Sequence, residues 1–390
     1  MAGYIFSISK EGWNSFIEND LRYGVFSPYC LEVTTDATDR QKKSINKVLA
    51  ATFGDMITMK PGDNIYFLSN RKIYGVGIAK KIGEDCKYDN YIGASALRPD
   101  YDIDPDSTEF LTVKSTRARW FCIFEPHDYF FKKGVDMDDV LQFRPSAFKM
   151  LRAFEGLSFI KIDDEENRAL KEYICLKNED VHDDIENNTY PFDTSVHEKL
   201  TGTDLSSYKM DILIALSDRE YFEIIKSEMF LESVLLQFLS ENRVTPLGHW
   251  DYVTHQIIAS PFKPLKYIDK IDVFGYRFST HYKDSPELIT KYLLVEMKKE
   301  KINKAALEQT MQYVDWICKE YASGDYSMIE AYVIGEKVVK SIQEIKNEVC
   351  QRAFISSSHP ATPEKWSDLH IVTYDISDTI FFNKHILETN

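Results

Sequence analysis

Asp272, Glu296, Lys298, Gln309 and Tyr313 are the residues whose types and spacing in this chain can do chemistry. Glu296 and Lys298 close the segment Tyr292-Leu293-Leu294-Val295-Glu296-Met297-Lys298, an apolar run that ends in charge. Alternate side chains of a strand share a face, which puts Leu294, Glu296 and Lys298 on one side and Leu293, Val295 and Met297 on the other. A carboxylate and an ammonium so placed at the end of a buried strand can hold a divalent metal and a water together. Asp272 adds a second acid on a second apolar run, Ile271-Asp272-Val273-Phe274. Metal-assisted hydrolysis of a phosphodiester requires such a set. An acid-x-Lys triplet alone means little in a chain with 62 acidic and 47 basic residues. The order of elements around it gives it weight.

A helix is predicted over residues 303–321, with Asn303 as N-cap and Gly324 as its stop. Leu307, Met311, Val314, Cys318 and Tyr321 fall at helical spacing and form its apolar stripe. Gln309 and Tyr313 lie one turn apart on a different face, open to a substrate. Upstream, Ser217-Asp218-Arg219-Glu220 has the form of a capping box and marks the start of this module.

Taken in order, Asp … Glu-x-Lys … Gln-x-x-x-Tyr resembles the PD-(D/E)XK nucleases, in particular their RecB-like and NucS-like branches, over roughly residues 211–380. The resemblance implies an α/β restriction-endonuclease-like fold, a mixed central sheet flanked by helices. It also implies a helix bearing a Glu ahead of the first strand, where Glu232 fits best and Glu228 is the alternative. The strand–helix–strand order that follows matches residues 329–335, 340–350 and 352–355, with a last strand at 369–374. An insertion at 279–290 departs from the family and reads as a hairpin extension. It leaves Asp269 as an alternative to Asp272, which is preferred because it sits within the apolar run. By this resemblance Asp272 and Glu296 bind Mg2+ or Mn2+ and Glu232 completes the metal shell. Lys298 orients the attacking water and stabilises developing charge, while Gln309 and Tyr313 steady the site and the nucleic-acid backbone.

The first part of the chain is patterned differently. Residues 60–79 read as a hairpin through Ser69-Asn70-Arg71, with Pro61-Gly62-Asp63 as the preceding turn. Residues 4–9 and 119–124 add strands. Gly75 and Gly77 are glycines of a tightly curved strand and not a dinucleotide loop, since no helix follows. An opening strand with a nearby Trp, then Gly24-Val25-Phe26, then this hairpin is similar to EVE and other PUA-like domains. That resemblance implies a strand-rich barrel that binds nucleic acid, with Ser9, Trp13, Phe26 and Trp120 as candidates for an aromatic base pocket.

The expected organisation is an EVE/PUA-like reading domain at 1–135, a helical and acidic connector at 136–210, and the nuclease domain at 211–390. Within the connector, residues 138–154 and 165–175 are predicted helical, and 179–207 read as a polar linker or lid. A net charge of −15 over 390 residues argues against a general nucleic-acid binder. Much of the acid lies at Asp163-Asp164-Glu165-Glu166 and in 179–186, whereas Lys291, Lys298, Lys299, Lys301 and Lys304 make a basic lip at the proposed site. No apolar run approaches the ~20 residues of a membrane span, and the start shows no secretory pattern. Six cysteines (Cys30, Cys86, Cys122, Cys175, Cys318, Cys350) without a C-x-x-C pair are expected as free thiols in a reducing cytoplasm. Together these point to a metal-dependent DNA endonuclease in prokaryotic restriction or antiphage defence, with the Shedu nucleases as one architecture of this length. The alternative is a reader of modified bases whose nuclease fold is inactive or RNA-directed. One site per chain cuts one strand, so a homo-oligomer is expected.

Overall fold

A computed structural model describes residues 1–28, 50–89, 120–126, 131–153, 159–212, 227–259, 269–279, 288–376 and 380–384. The chain divides into two compact units, Met1–Glu220 and Tyr221–Asn390. Both are mixed α/β. Among the described residues no helix is long and apolar enough to cross a membrane.

The first unit is built on eight strands: β1 (Gly3–Ser7), β2 (Val25–Phe26), β3 (Asn64–Ser69), β4 (Lys72–Ala79), β5 (Lys87–Asp89), β6 (Trp120–Pro126), β7 (Val135–Asp136) and β8 (Phe159–Ile162). Their order is β2-β6-β4-β3-β1-β8, with β5 on β6 and β7 on β4. The hairpin read at 60–79 is β3–β4. It turns through Asn70 (φ 49°) and Arg71 (φ 61°), both left-handed, the conformation that suits the twist of a two-residue hairpin. Opposite Tyr66 the register shifts, and Gly75 takes φ 74° there, as a bulge in a curved strand requires.

The expected barrel is not found: the pairings of the described residues form an open path ending at β2 and β8. Two pairings set the β8 end of that path. The pairing of β1 with β3 is parallel, so a long crossover separates them. And β1 takes β8, from beyond residue 135, as its antiparallel second neighbour.

The helices of this unit that bear on its core include α1 (Met137–Phe143), α2 (Asp164–Lys177) and α3 (Ser195–Thr201). The helix predicted over 138–154 stops at Phe143. Pro145 follows Arg144, which leaves helical geometry at φ −136°, ψ 78°, as a residue before proline must. The acidic run ahead of α2 is structural. Asp163 caps the helix by accepting the Glu165 and Glu166 amides. Glu166 is fully buried, and its Oε1 accepts the amides of Lys149, Met150 and Leu151. Ala169, Leu170, Tyr173 and Ile174 of α2 pack with Ile5, Tyr66, Ile73 and Ile160 in one core cluster. Val196 and Leu200 of α3 join Tyr88, Phe121 and Ile123 in another.

The second unit carries the six-stranded sheet β16-β15-β12-β11-β10-β9. Its strands are β9 (Tyr252–Ile258), β10 (Lys270–Phe278), β11 (Ile289–Ile302), β12 (Ile329–Val338), β15 (Leu369–Ile376) and β16 (Ile380–Lys384). Strands β9, β10 and β11 run antiparallel, β11, β12 and β15 parallel, and β16 antiparallel again. Helix α4 (Glu228–Ser240) lies on β9–β11, and α5 (Lys304–Glu320) lies on β11 and β12. Asn303 caps α5 through its side chain, which accepts the Ala306 amide at 3.1 Å. The helix closes at Gly324, whose φ is 92° and whose N–H bonds the Cys318 carbonyl. After α6 (Ile342–Val349), residues 352–358 do form a strand, β13, but among the described residues it pairs with β14 (Ala361–Trp366) and not with the central sheet. The sheet position falls to β15, whose Leu369, Ile371 and Val372 are buried, while Ile355 of β13 is 59% exposed. The capping-box residues 217–220 and most of the 279–290 insertion lie outside the described residues; its flanks pair at Phe278–Ile289.

Candidate active site

Strand β11 enters the site as an apolar core strand and leaves it as a charged edge. Leu293, Leu294, Val295, Glu296 and Met297 are all buried, Lys298 is half-buried, and Lys299, Glu300 and Lys301 are exposed. The β10–β11 ladder ends at the Val273–Val295 pair, one residue short of Asp272 and Glu296. There the strands part, and Asp272 fills the gap with its side chain: Oδ2 accepts the Met297 amide at 2.6 Å. On its other side, pairing with β12 breaks between Lys298 and Lys301. This bulge is held from two directions. Glu228 Oε1 accepts the Lys299 amide at 3.1 Å, and the Tyr374 hydroxyl donates to the Lys299 carbonyl. Opposite Lys298 sits Gly335, where a Cβ would lie 2.7 Å from Ile302 Cγ1.

The side chains expected to act together are connected. Lys298 Nζ donates to Glu296 Oε1 at 2.5 Å and to Gln309 Oε1 at 3.3 Å. The Gln309 amide nitrogen donates to the Tyr313 hydroxyl at 2.8 Å. Both ends of the Gln309 amide are thus committed, and its orientation follows. Tyr313 is buried and not open to a substrate as the helix pattern implied; it braces Gln309. Glu232, from the second turn of α4, is buried and accepts the Gln256 side-chain amide at 3.0 Å. His255 Nδ1 stands 3.7 Å from the same Glu232 oxygen.

Asp272, Glu296 and Lys298 are perturbed by burial and by the charges around them. Burial is the main cause that raises Asp272 well above the usual carboxylate range, and the charges of Glu232 and Glu296 add to it. Burial also pushes Glu296 up to about 7, against the pull of the Lys298 hydrogen bond and charge and with the push of Glu228 and Glu232. For Lys298 burial works downward, but the Glu296 bond and the charges of Glu296, Asp272 and Glu228 outweigh it and hold the ammonium above its ordinary value. One cation serves a cluster of acids.

This excess fits a divalent ion in two respects. The donors are hard carboxylate oxygens of the kind Mg2+ and Mn2+ take. And Oε2 of Glu296 is buried with no hydrogen-bond partner, which an unaided fold avoids. Among the described residues, however, no three His, Cys, Asp or Glu side chains are arranged to hold a metal as they stand. Each acid already accepts from a protein donor on one oxygen: Glu232 from Gln256, Asp272 from the Met297 amide and Glu296 from Lys298.

Both glutamates left open by the pattern act on the site. Glu228 accepts the Lys299 amide and its charge pushes Glu296 up, while the charge of Glu232 raises Asp272 and Glu296. Asp269 precedes β10 and gives its carbonyl to the Ala259 amide. Pattern reading missed Gln256, His255 and Tyr374. For the first two a signal existed, the polar run Thr254-His255-Gln256 inside the otherwise apolar strand segment 252–258.

In the first unit the four pocket candidates do not come together as one exposed surface. Ser9 is exposed and its Oγ accepts the Gly12 amide. Trp13 is half-buried, with Tyr74 against its ring at 4.4 Å. Phe26 is buried among Phe6, Phe16 and Phe67. Trp120 is buried against Phe53.

No family model matches the sequence, and no curated protein matches it. Among solved structures, a repair endonuclease from Pyrococcus abyssi is similar at 18% identity and a TM-score of 0.20, over 30% of this chain and 42% of that one. The matched part is thus under half of that protein's length, and a likeness of this size carries no argument.

Proposed function

We propose that this chain is a divalent-metal-dependent DNA endonuclease of the PD-(D/E)XK type, acting in restriction or antiphage defence. The observation that supports the reading best is the buried Glu296 carboxylate, one oxygen on Lys298 and the other without a partner. Glu232, Asp272 and Glu296 would hold Mg2+ or Mn2+, whose charge polarises the scissile phosphate and acidifies a water. Lys298 directs its ammonium to the negative charge that develops on the phosphate oxygens. Its elevated pKa keeps it charged throughout the neutral range. Gln309, braced by Tyr313, holds that ammonium in place. The exposed Lys299 and Lys301 of the bulge would present positive charge beside the site to the DNA backbone, whereas Lys304 is paired with Glu348. A second copy of the chain would supply the second cut.

The test is nicking and linearisation of plasmid DNA, plain and modified, with Mg2+ or Mn2+, by the wild type and by Lys298→Met. Cleavage by the wild type and its loss in a folded variant support the proposal. Preference for modified plasmid assigns the first unit as the reader. Equal cleavage by both proteins, or cleavage of RNA and of no DNA form, overturns it.

A further inference from the structure

We infer that Gln256 is a positioning residue that aims Glu232 at the proposed metal, and that a strained backbone is maintained for this purpose. The inference rests on the metal-site reading above and adds a residue to it. Gln256 lies in the middle of β9, yet its φ is 56°. An L-residue in a strand reaches that region only against steric repulsion between its Cβ and its own carbonyl. Glycine would take it without cost. No turn or chain reversal calls for it here, since β9 pairs with β10 on both sides, at Ile257–Ile271 and at His255–Val273. The ladder skips only the position between these pairs, where Gln256 falls against Asp272. The departure from strand geometry therefore sits beside one candidate ligand.

Its effect reaches another. From this position the Gln256 amide donates to Glu232 Oε2 at 3.0 Å, across from a different element, α4. Glu232 is 2% exposed, so water does not compete for that oxygen. Without the Gln256 donor the carboxylate is free to turn toward His255, 3.7 Å away. Strain that persists where the surrounding structure enforces it marks a functional constraint more often than a packing accident. Partners that orient a metal's carboxylates are worth about 10–100-fold in metal affinity.

The experiment uses the full chain without nucleic acid and measures Mn2+ binding by calorimetric titration and by the spin resonance of free Mn2+. It compares the wild type, Gln256→Gly, Gln256→Asn and Glu232→Ala. Gln256→Gly releases the strain and removes the amide, while Gln256→Asn tolerates the left-handed backbone but is too short to reach Glu232. The expected result is Mn2+ affinity about tenfold weaker in both Gln256 variants, with a melting temperature unchanged or raised in Gln256→Gly. A residue serving packing alone would lower the melting temperature and leave Mn2+ affinity untouched. Wild-type affinity in a folded Gln256→Gly or Gln256→Asn protein overturns the inference. If Glu232→Ala loses Mn2+ affinity while the Gln256 variants keep it, the metal reading stands and only the positioning role falls. If the wild type binds no Mn2+, both fall.

Discussion

Replacing Glu296 with Gln should make the metal-free protein more stable, and only at the alkaline end of its range. The buried carboxyl is pushed from its ordinary 4.5 up to about 7, and at about 1.4 kcal/mol per unit this is roughly 3 kcal/mol against the ionised form in the fold. The sign follows from linkage. Between about pH 4.5 and 7 the folded protein holds a proton that the unfolded chain has released, so stability falls across that window and is flat above it. Glutamine keeps the shape and an oxygen for Lys298 but has no proton to lose. At pH 5 the variant should match the wild type, and at pH 8 it should gain about 2–3 kcal/mol, or roughly 5–10 °C in melting temperature for a domain of this size. Urea and thermal unfolding in chelator, followed by tryptophan emission at both pH values, would measure it. Mn2+ at a hundred times its Kd should then add about 2.7 kcal/mol to the wild type and much less to the variant. A gain equal at pH 5 and pH 8, or no gain at pH 8, would refute the view that Glu296 is held in the fold at the expense of stability.

Tyr374→Phe removes the donor to the Lys299 carbonyl and should lower stability by about 1 kcal/mol; plasmid cleavage should fall in kcat with DNA affinity retained, because the bulge that aims Lys298 loosens. Gly335→Ala drives a Cβ to within 2.7 Å of Ile302 Cγ1 and should cost about 1–3 kcal/mol in urea unfolding. Glu166→Ala strips the acceptor from three amides of the first unit and should cost about 3 kcal/mol or more. Burial and the neighbouring Asp163 charge raise Glu166 to about 8, so the wild type should lose stability as pH climbs from about 4.5 through 8, and the variant should lack that slope.

The sequence revealed what is local and concealed what depends on distant partners. Glu296 and Lys298 could be placed on one strand face because alternation follows from two adjacent peptide units, and Asn303 could be placed as a cap because its bond spans three residues. Asn70-Arg71 marked a hairpin for the same reason. The parallel β1–β3 pairing and the capture of β8 by β1 depend on residues about 60 and 160 positions apart, and nothing in Phe159-Ile160-Lys161-Ile162 says which sheet it joins. A barrel was expected because strand-rich segments with curved glycines look alike whether their ends meet or not.

The same division runs through the site itself. Glu232 and Glu228 share a helix one turn apart, and each satisfies the pattern; the path of β11 gives Glu228 a backbone amide to accept and leaves the charges of both acting on Glu296. Gln256 is the sharper case. Its side chain is ordinary and its φ is not, and backbone strain leaves no trace in residue type unless glycine or asparagine occupies the position. That this position holds neither is itself informative. Glycine would relieve the strain but could not reach Glu232, and asparagine would tolerate the backbone but fall short. A long amide at a left-handed strand position is the solution that remains when the donor to Glu232 matters more than the comfort of the chain.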